Sequence, residues 1–134
     1  MYEPIRTKSV HSMADADFPH RTREEELDIQ LAGHLAALLA VTDDLGLDQA
    51  ATLIAHQVTR LRGTPPARSS TPAPDSPATL HRRALALAGR ALVVAASRAD
   101  TAAAILAAER MDAHTAALRT PENEPAEPLA AATR

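Results

Sequence analysis

Two histidines, His34 and His56, are the pair whose residue type and spacing predict binding chemistry. His34 stands seven residues after Leu27 and seven before Val41, among the apolar positions of a predicted helix. It lies twelve residues before Gly46, and His56 lies ten residues after that glycine. An antiparallel pair of helices that turns at Gly46 therefore places both imidazoles at nearly the same height. Two neutral imidazoles inside a bundle can bind a metal ion or a small ligand, or form a pH-sensitive contact.

A structural role is the more economical interpretation of these histidines. Each would then lie at the edge of the core, bonded to a nearby glutamine or a backbone carbonyl. His56 also points to the flank of its helix, which weakens the pairing with His34. His81 and His114 are expected to lie roughly 50 Å apart on one continuous helix, too far apart to ligate one metal ion. His34 and His56 are thus the metal candidates that we carry forward, and no cofactor is expected.

Motifs of the common catalytic classes are absent from the sequence. Its four glycines are too scattered to form a phosphate-binding loop. The HExxH, GxSxG and ExxH patterns do not occur, so zinc-protease, hydrolase and di-iron chemistries have no anchor. The absence of cysteine excludes disulfides and thiolate metal ligands. We expect a protein without catalytic activity.

Nucleic-acid and membrane binding are weakly supported as well. A helix-turn-helix alignment with its turn at Gly46 fits the sequence poorly. It places Thr42, Thr52 and Ala55 where the motif requires alanine and branched apolar residues. The arginines of the last predicted helix are scattered and lack aromatic neighbours for base stacking. No apolar run approaches the ~20 residues that span a bilayer, and no secretory signal is visible, so a cytoplasmic protein is expected.

Local signals predict two short helices in the first half of the chain. The segment Thr22-Arg-Glu-Glu25 matches a capping box and predicts a helix from Thr22 to about Leu45, with Gly46 left-handed at its end. Asp48 is predicted to cap a second helix, Asp48–Arg62, which Gly63 ends. The short connection between them predicts an antiparallel hairpin.

The second half of the chain predicts one long helix from Ser76 to Leu118. Ser76 and Pro77 supply an N-cap and a proline at the first helical position. The apolar positions follow a three-then-four spacing and are mostly alanine: Leu85, Ala88, Leu92, Ala95, Ala99, Ala102, Leu106, Ala113 and Ala116. The alternative is a break within Ser97–Asp100, with Asp100 capping a new helix. We favour the continuous helix.

The predicted fold class is all-α. An antiparallel helical hairpin and one long Ala-rich helix form a three-helix bundle, or a four-helix bundle if the last helix breaks near Ser97–Asp100. A single helical domain spans 21–119 and contains a Pro/Ser-rich linker at 63–77. It follows a flexible arm at 1–20 and precedes a disordered tail at 120–134.

A partner is expected because the core is thin and the long helix exceeds the hairpin that covers it. The chain has one tyrosine, one phenylalanine and no tryptophan, so leucine and alanine must fill the core. We predict an interaction or accessory protein that forms a homodimer or binds another helical protein. The predicted interaction residues are Leu85, Leu92, Ala99, Leu106 and Ala113. A ligand- or metal-binding bundle is the alternative function, and a nucleic-acid-associated regulator, which is less expected, is the third. A break near Ser97–Asp100 would remove the length argument for a dimer.

Overall fold

The computed structural model describes residues 21–69, 71 and 73–120. This part of the chain is all-α, and its helices are α1 (Arg23–Asp44), α2 (Asp48–Arg62), α3 (Pro77–Arg98) and α4 (Thr101–Leu118). None of these helices is long and apolar enough to cross a lipid bilayer. The predicted arm at 1–20, and the predicted tail from residue 121 onward, lie outside the described residues.

The ends of α1 and α2 follow the local sequence signals. Thr22 Oγ1 accepts a hydrogen bond from the backbone N–H of Glu25 at 3.1 Å, and Glu25 Oε1 accepts one from the N–H of Thr22 at 2.8 Å. The predicted capping box is therefore confirmed. Gly46 ends the turn after α1 with φ of 72°, in the left-handed region that glycine adopts without steric cost. At α2 the prediction was wrong in one detail, because Leu47 occupies the N-cap position without a side-chain bond and Asp48 is the first helical residue.

The continuous helix predicted from Ser76 to Leu118 is not formed, because the chain turns at Ala99. This residue has φ of 60° and ψ of 37°, and it is left-handed although it is not glycine. Its N–H donates to the carbonyl of Ala96 at 3.1 Å, and the N–H of Asp100 donates to the carbonyl of Ala95 at 2.8 Å. This is the Schellman arrangement that ends many helices.

Asp100 caps α4 and links this helix to α2 through an ion pair. Its Oδ1 accepts a hydrogen bond from the backbone N–H of Ala103 at 3.2 Å, which is an N-cap contact. Arg60 Nη2 lies 2.8 Å from Asp100 Oδ2, and the Asp100 side chain is only 10% exposed. A left-handed alanine costs about 1–2 kcal/mol. The cap, the ion pair and the packing of α4 on α3 offset that cost.

The helices pack against one another in the manner of a bundle, but not evenly. Extensive contacts join α1 to α2, α1 to α3, and α3 to α4, whereas α2 and α4 barely meet. The fully buried residues of α1 include four leucines: Leu31, Leu35, Leu38 and Leu39. The buried residues of α3 and α4 are mainly alanines: Ala84, Ala88, Ala91, Ala95, Ala103 and Ala107. Small side chains let α3 and α4 approach closely, but they remove little apolar area from water.

The predicted interaction residues do not lie along one face of a single helix, because the chain folds back on itself at Ala99. Leu85 and Leu92 are half-buried on α3, and Leu106 is buried in the protein's own core on α4. Ala113 is exposed on α4. The argument that a long helix needs a partner for its uncovered length therefore lapses.

The predicted linker is exposed over most of its described length, but it is tied to the end of α1. Arg68 donates from Nε to Asp43 Oδ2 at 2.9 Å and from Nη2 to Oδ1 at 2.8 Å. The N–H of Ser69 also donates to Asp43 Oδ2, at 3.1 Å. The hydrogen bonds from Arg68 hold the pKa of the Asp43 carboxyl below its ordinary value, against the opposing effect of burial. These contacts anchor the linker to the end of α1.

Candidate functional site

The structure does not join the predicted pair His34 and His56. His34 is half-buried on α1, and His56 is exposed on α2. Neither imidazole forms a hydrogen bond, an ion pair or a ring contact with another described residue. Within the described ranges, no group of three or more His, Cys, Asp or Glu residues is placed to hold a metal ion. A metal or ligand site at these histidines stays a prediction.

A different pair, His81 on α3 and His114 on α4, is in direct contact. Their Nδ1 atoms are 2.9 Å apart, their ring centroids are 5.1 Å apart, and the ring planes are tilted by 51°. The expected separation of roughly 50 Å was wrong, because it assumed one continuous helix. The turn at Ala99 reverses the chain about midway between the two histidines, so residues equally distant from the turn meet.

His114 is more deeply buried than His81. Its side chain is 0% exposed and is the largest fully buried side chain of α4. His81 is only partly buried, near the start of α3. Arg110, one turn before His114 on α4, places Nη2 3.4 Å from His114 Nε2. The Nε atom of Arg110 is buried and has no hydrogen-bond partner among the described residues.

These contacts determine which ring nitrogens carry protons. A guanidinium group can only donate hydrogen bonds, so Nε2 of His114 accepts from Arg110 through its lone pair. A neutral His114 then carries its proton on Nδ1 and donates it to Nδ1 of His81. His81 must therefore carry its own proton on Nε2. The two neutral imidazoles thus form one hydrogen bond, which His114 donates and His81 accepts.

The surroundings of the pair disfavour imidazolium. Burial, followed by the charge of Arg110 and the neighbouring His81, lowers the pKa of His114 to about 4. Burial and the charge of Arg110 lower the pKa of His81 as well. The pKa of Arg110 is itself lowered by burial. Both imidazoles are consequently neutral at pH 7, and each resists protonation while the rings are in contact.

The donor set at His81 and His114 is that of a titratable contact and not of a metal centre. A metal bridging the two Nδ1 atoms needs both lone pairs, but one Nδ1 atom carries the proton of the hydrogen bond. The pair offers two nitrogen ligands without a carboxylate, and the nearby Arg110 cation repels a metal ion. Arg110, the other polar group at the pair, is a cation and not a nucleophile. What the pair can do chemically is take up protons.

Sequence reasoning missed this pair, although one signal for it was present. The polar stretch from Ser97 to Thr101 lies about midway between His81 and His114. A break in that stretch, which was the less favoured alternative, brings residues equidistant from it to the same height. The nearly equal distances of His81 and His114 from this stretch were therefore the available evidence that the two residues meet.

A second feature is the α4 surface around Ile105, which we call the Ile105 surface. The Ile105 side chain is 54% exposed. It stands between two shallow hollows. The hollow between α3 and α4 is about 290 Å³, and its lining includes five alanines: Ala95, Ala96, Ala99, Ala104 and Ala108. The hollow between α2 and α4 is about 210 Å³, and its lining includes Leu53 and His56.

Comparison with known proteins assigns no family to this chain. No protein-family model matches it, and neither a curated protein nor a solved structure does so. Any functional inference must therefore come from the geometry of its own residues.

Proposed function

We propose that this chain is a non-catalytic helical interaction protein, a four-helix bundle that pairs with a second copy of itself through the Ile105 surface. One observation carries the proposal: a half-exposed isoleucine stands between two hollows on the same face of α4. A projecting apolar side chain and a hollow able to receive it are the two halves of a packing contact. Here one molecule carries both halves.

The arrangement favours a second copy as the occupant. In a dimer with twofold symmetry the same patch meets itself, so a patch must contain both the projection and the hollow. Ile105 of one copy would enter the alanine-lined hollow of its partner, and the partner's isoleucine would do the same in return. Alanines in that lining allow the two α4 helices to approach closely. Leu53, which is 53% exposed on α2, extends the apolar surface on the other side of Ile105.

The expected dimer is weak. Fully burying an isoleucine side chain contributes about 1.5–3 kcal/mol, and Ile105 is already half-buried, so the two isoleucines of a symmetric contact together contribute about 1.5–3 kcal/mol. Loss of translational and rotational freedom on association opposes that gain. We therefore expect dimerisation only at high protein concentration.

The experiment is analytical ultracentrifugation of the full chain up to high micromolar concentration. The unmodified chain is expected to show concentration-dependent dimerisation, and Ile105→Lys is expected to sediment as a monomer. Ile29→Lys is the matched control, because Ile29 is the same residue type in a helix, is 49% exposed and does not line either hollow. A strictly monomeric unmodified chain, or an equal effect of both substitutions, contradicts the proposal.

The two other functions considered from the sequence receive less support. A ligand site at His34 and His56 has no contact in its favour. For nucleic-acid binding, the arginines of α3 are partly engaged inside the molecule. Arg98 Nε donates to Asp28 Oδ1 at 3.0 Å and so joins the basic α3 to the acidic α1. This ion pair favours charge complementarity within the bundle over an exposed basic surface.

A further inference from the structure

We infer that the contact between His81 and His114 is a pH-sensitive device, which holds the C-terminal half of α4 on α3 at neutral pH and releases it in mild acid. The inference is independent of the proposed dimer. It depends on the geometry of the pair, on the anchoring of α4 and on the charges around the two rings.

The anchoring of α4 depends mainly on one other helix. Its main neighbour is α3, and it meets α2 only slightly. The buried residues of α4 are Ala103, Leu106, Ala107 and His114. Only Leu106 and His114 exceed alanine in size, and Leu106 belongs to the first half of the helix. His114 is therefore the principal fully buried side chain in the second half, where the partly buried Met111 also packs against the core.

The direction of the pH effect follows from what the neutral pair requires. One imidazole must donate its Nδ1 proton and the other must accept it. A proton added to His81 Nδ1 leaves two N–H groups facing each other 2.9 Å apart. A proton added to His114 Nε2 faces the Arg110 guanidinium instead, at 3.4 Å. Either protonation removes an acceptor from a buried site and adds a like-charge repulsion, so it drives the rings apart.

Among the charged groups around the pair, Arg110 acts on both rings and disfavours their protonation. On α4 the charged groups are Arg110 and, acting through it, Glu109. On α3 the residues after His81 are two exposed arginines, Arg82 and Arg83. At the start of α2, Asp48 shares a hollow with Arg110. The described charged residues of α1 form no hydrogen bond or ion pair with either ring, and no described carboxylate does so.

Opening restores an ordinary imidazole pKa, so acid favours the open state. The closed state keeps the pKa of His114 at about 4, because burial and Arg110 disfavour its cation. Proton uptake by His114 alone then raises the ratio of the open to the closed state of α4 roughly 20-fold between pH 7 and pH 5. Proton uptake by His81 acts in the same direction.

The test is amide hydrogen exchange of the full chain by NMR at pH 7 and pH 5, corrected for the intrinsic exchange rate. We expect opening of α4 between residues 106 and 116 to rise roughly 20-fold or more, and to be more frequent than opening of α1 between residues 31 and 41 at both pH values. Opening of α4 that is no more frequent than that of α1 at pH 5 would mean global acid unfolding and would overturn the inference. So would an unchanged α4.

Two variants separate the pair from other acidic effects. In His114→Leu the exchange of α4 is expected to lose its dependence on pH, whereas His56→Leu, which changes an exposed histidine outside the pair, is expected to keep it. A wild-type pH response in His114→Leu contradicts the inference. If that variant does not fold, the ¹⁵N titration of His114 in the unmodified chain decides. A titration below pH 5 supports the inference, and one near pH 6.5 overturns it.

Discussion

The Nδ1 atoms of His81 and His114 lie 2.9 Å apart, although the residues are 33 positions apart in the chain. The contact exists because α3 and α4 are antiparallel and the turn at Ala99 falls about midway between the two histidines. His114 is completely buried, and Arg110 donates a hydrogen bond to its other ring nitrogen, Nε2. A histidine in these surroundings ties the stability of the fold to pH.

Global stability is expected to fall in mild acid because of His114. The pKa of His114 is lowered to about 4 in the folded chain, from an ordinary value of 6.5. The unfolded chain therefore takes up a proton first as the pH falls, and the stabilisation present above pH 6.5 is lost by about pH 4. His114 alone should lower the free energy of unfolding by about 2 kcal/mol between pH 7 and pH 5.

Urea unfolding followed by circular dichroism at 222 nm measures this loss, since the chain has no tryptophan to report it. His114→Leu should reduce the difference between the two pH values by about 2 kcal/mol. His56→Leu is the control and should leave the difference unchanged. Equal differences in both variants would assign the acid sensitivity to other groups.

Replacing Ala99 by glycine should stabilise the fold. Ala99 has φ of 60°, a conformation in which its Cβ is strained and glycine is not. Ala99→Gly relieves that strain but also adds freedom to the unfolded chain, so we expect a net gain of about 0.5–1 kcal/mol. Ala96→Gly is the control, because Ala96 lies inside α3, where glycine costs about 1 kcal/mol. A loss of stability in Ala99→Gly would argue against the left-handed turn.

Removing the Asp100 carboxylate should destabilise the turn. Asp100→Ala loses both the N-cap contact to Ala103 and the ion pair to Arg60, and we expect a cost of about 1–2 kcal/mol. Asp100→Asn should cost less, because an asparagine side chain still caps a helix. Arg60→Ala should cost about 0.5 kcal/mol.

A double-mutant cycle of Asp100 and Arg60, measured by urea unfolding, gives the coupling of the ion pair separately from the cap. The coupling should be smaller than the cost of Asp100→Ala. Strictly additive effects of the two substitutions would show that the ion pair contributes nothing to stability.

Asp43 should control the mobility of the linker. Its side chain is only 5% exposed and pairs with Arg68. Asp43→Asn removes the charge that both the guanidinium and the Ser69 N–H engage, so trypsin should cleave after Arg68 faster, by about tenfold or more. Asp44→Asn is the neighbouring control, since among the described linker residues Asp44 contacts only the Ser69 hydroxyl, at 3.5 Å. Equal cleavage rates in the two variants would contradict an anchoring role for Asp43.

The limits of α1, the end of α2 and the start of α3 were predictable from the sequence because each is determined by contacts a few residues long. Thr22 and Glu25 bond to each other's backbone, Ser76 accepts from the N–H of Thr79, and Gly46 and Gly63 adopt left-handed backbone. Such signals need no distant residue, so a sequence can reveal them. The all-α class follows from the same local rules.

The turn at Ala99 and the contact of His81 with His114 depend on the tertiary structure. An alanine in the left-handed region is unfavourable by about 1–2 kcal/mol, so the local sequence gives no reason to place it there. The compensation comes from residues distant in the chain, through the packing of α4 on α3 and the ion pair of Asp100 with Arg60, 40 positions away. The sequence by itself determined where helices form, and long-range packing decided where the last one breaks and which histidines meet.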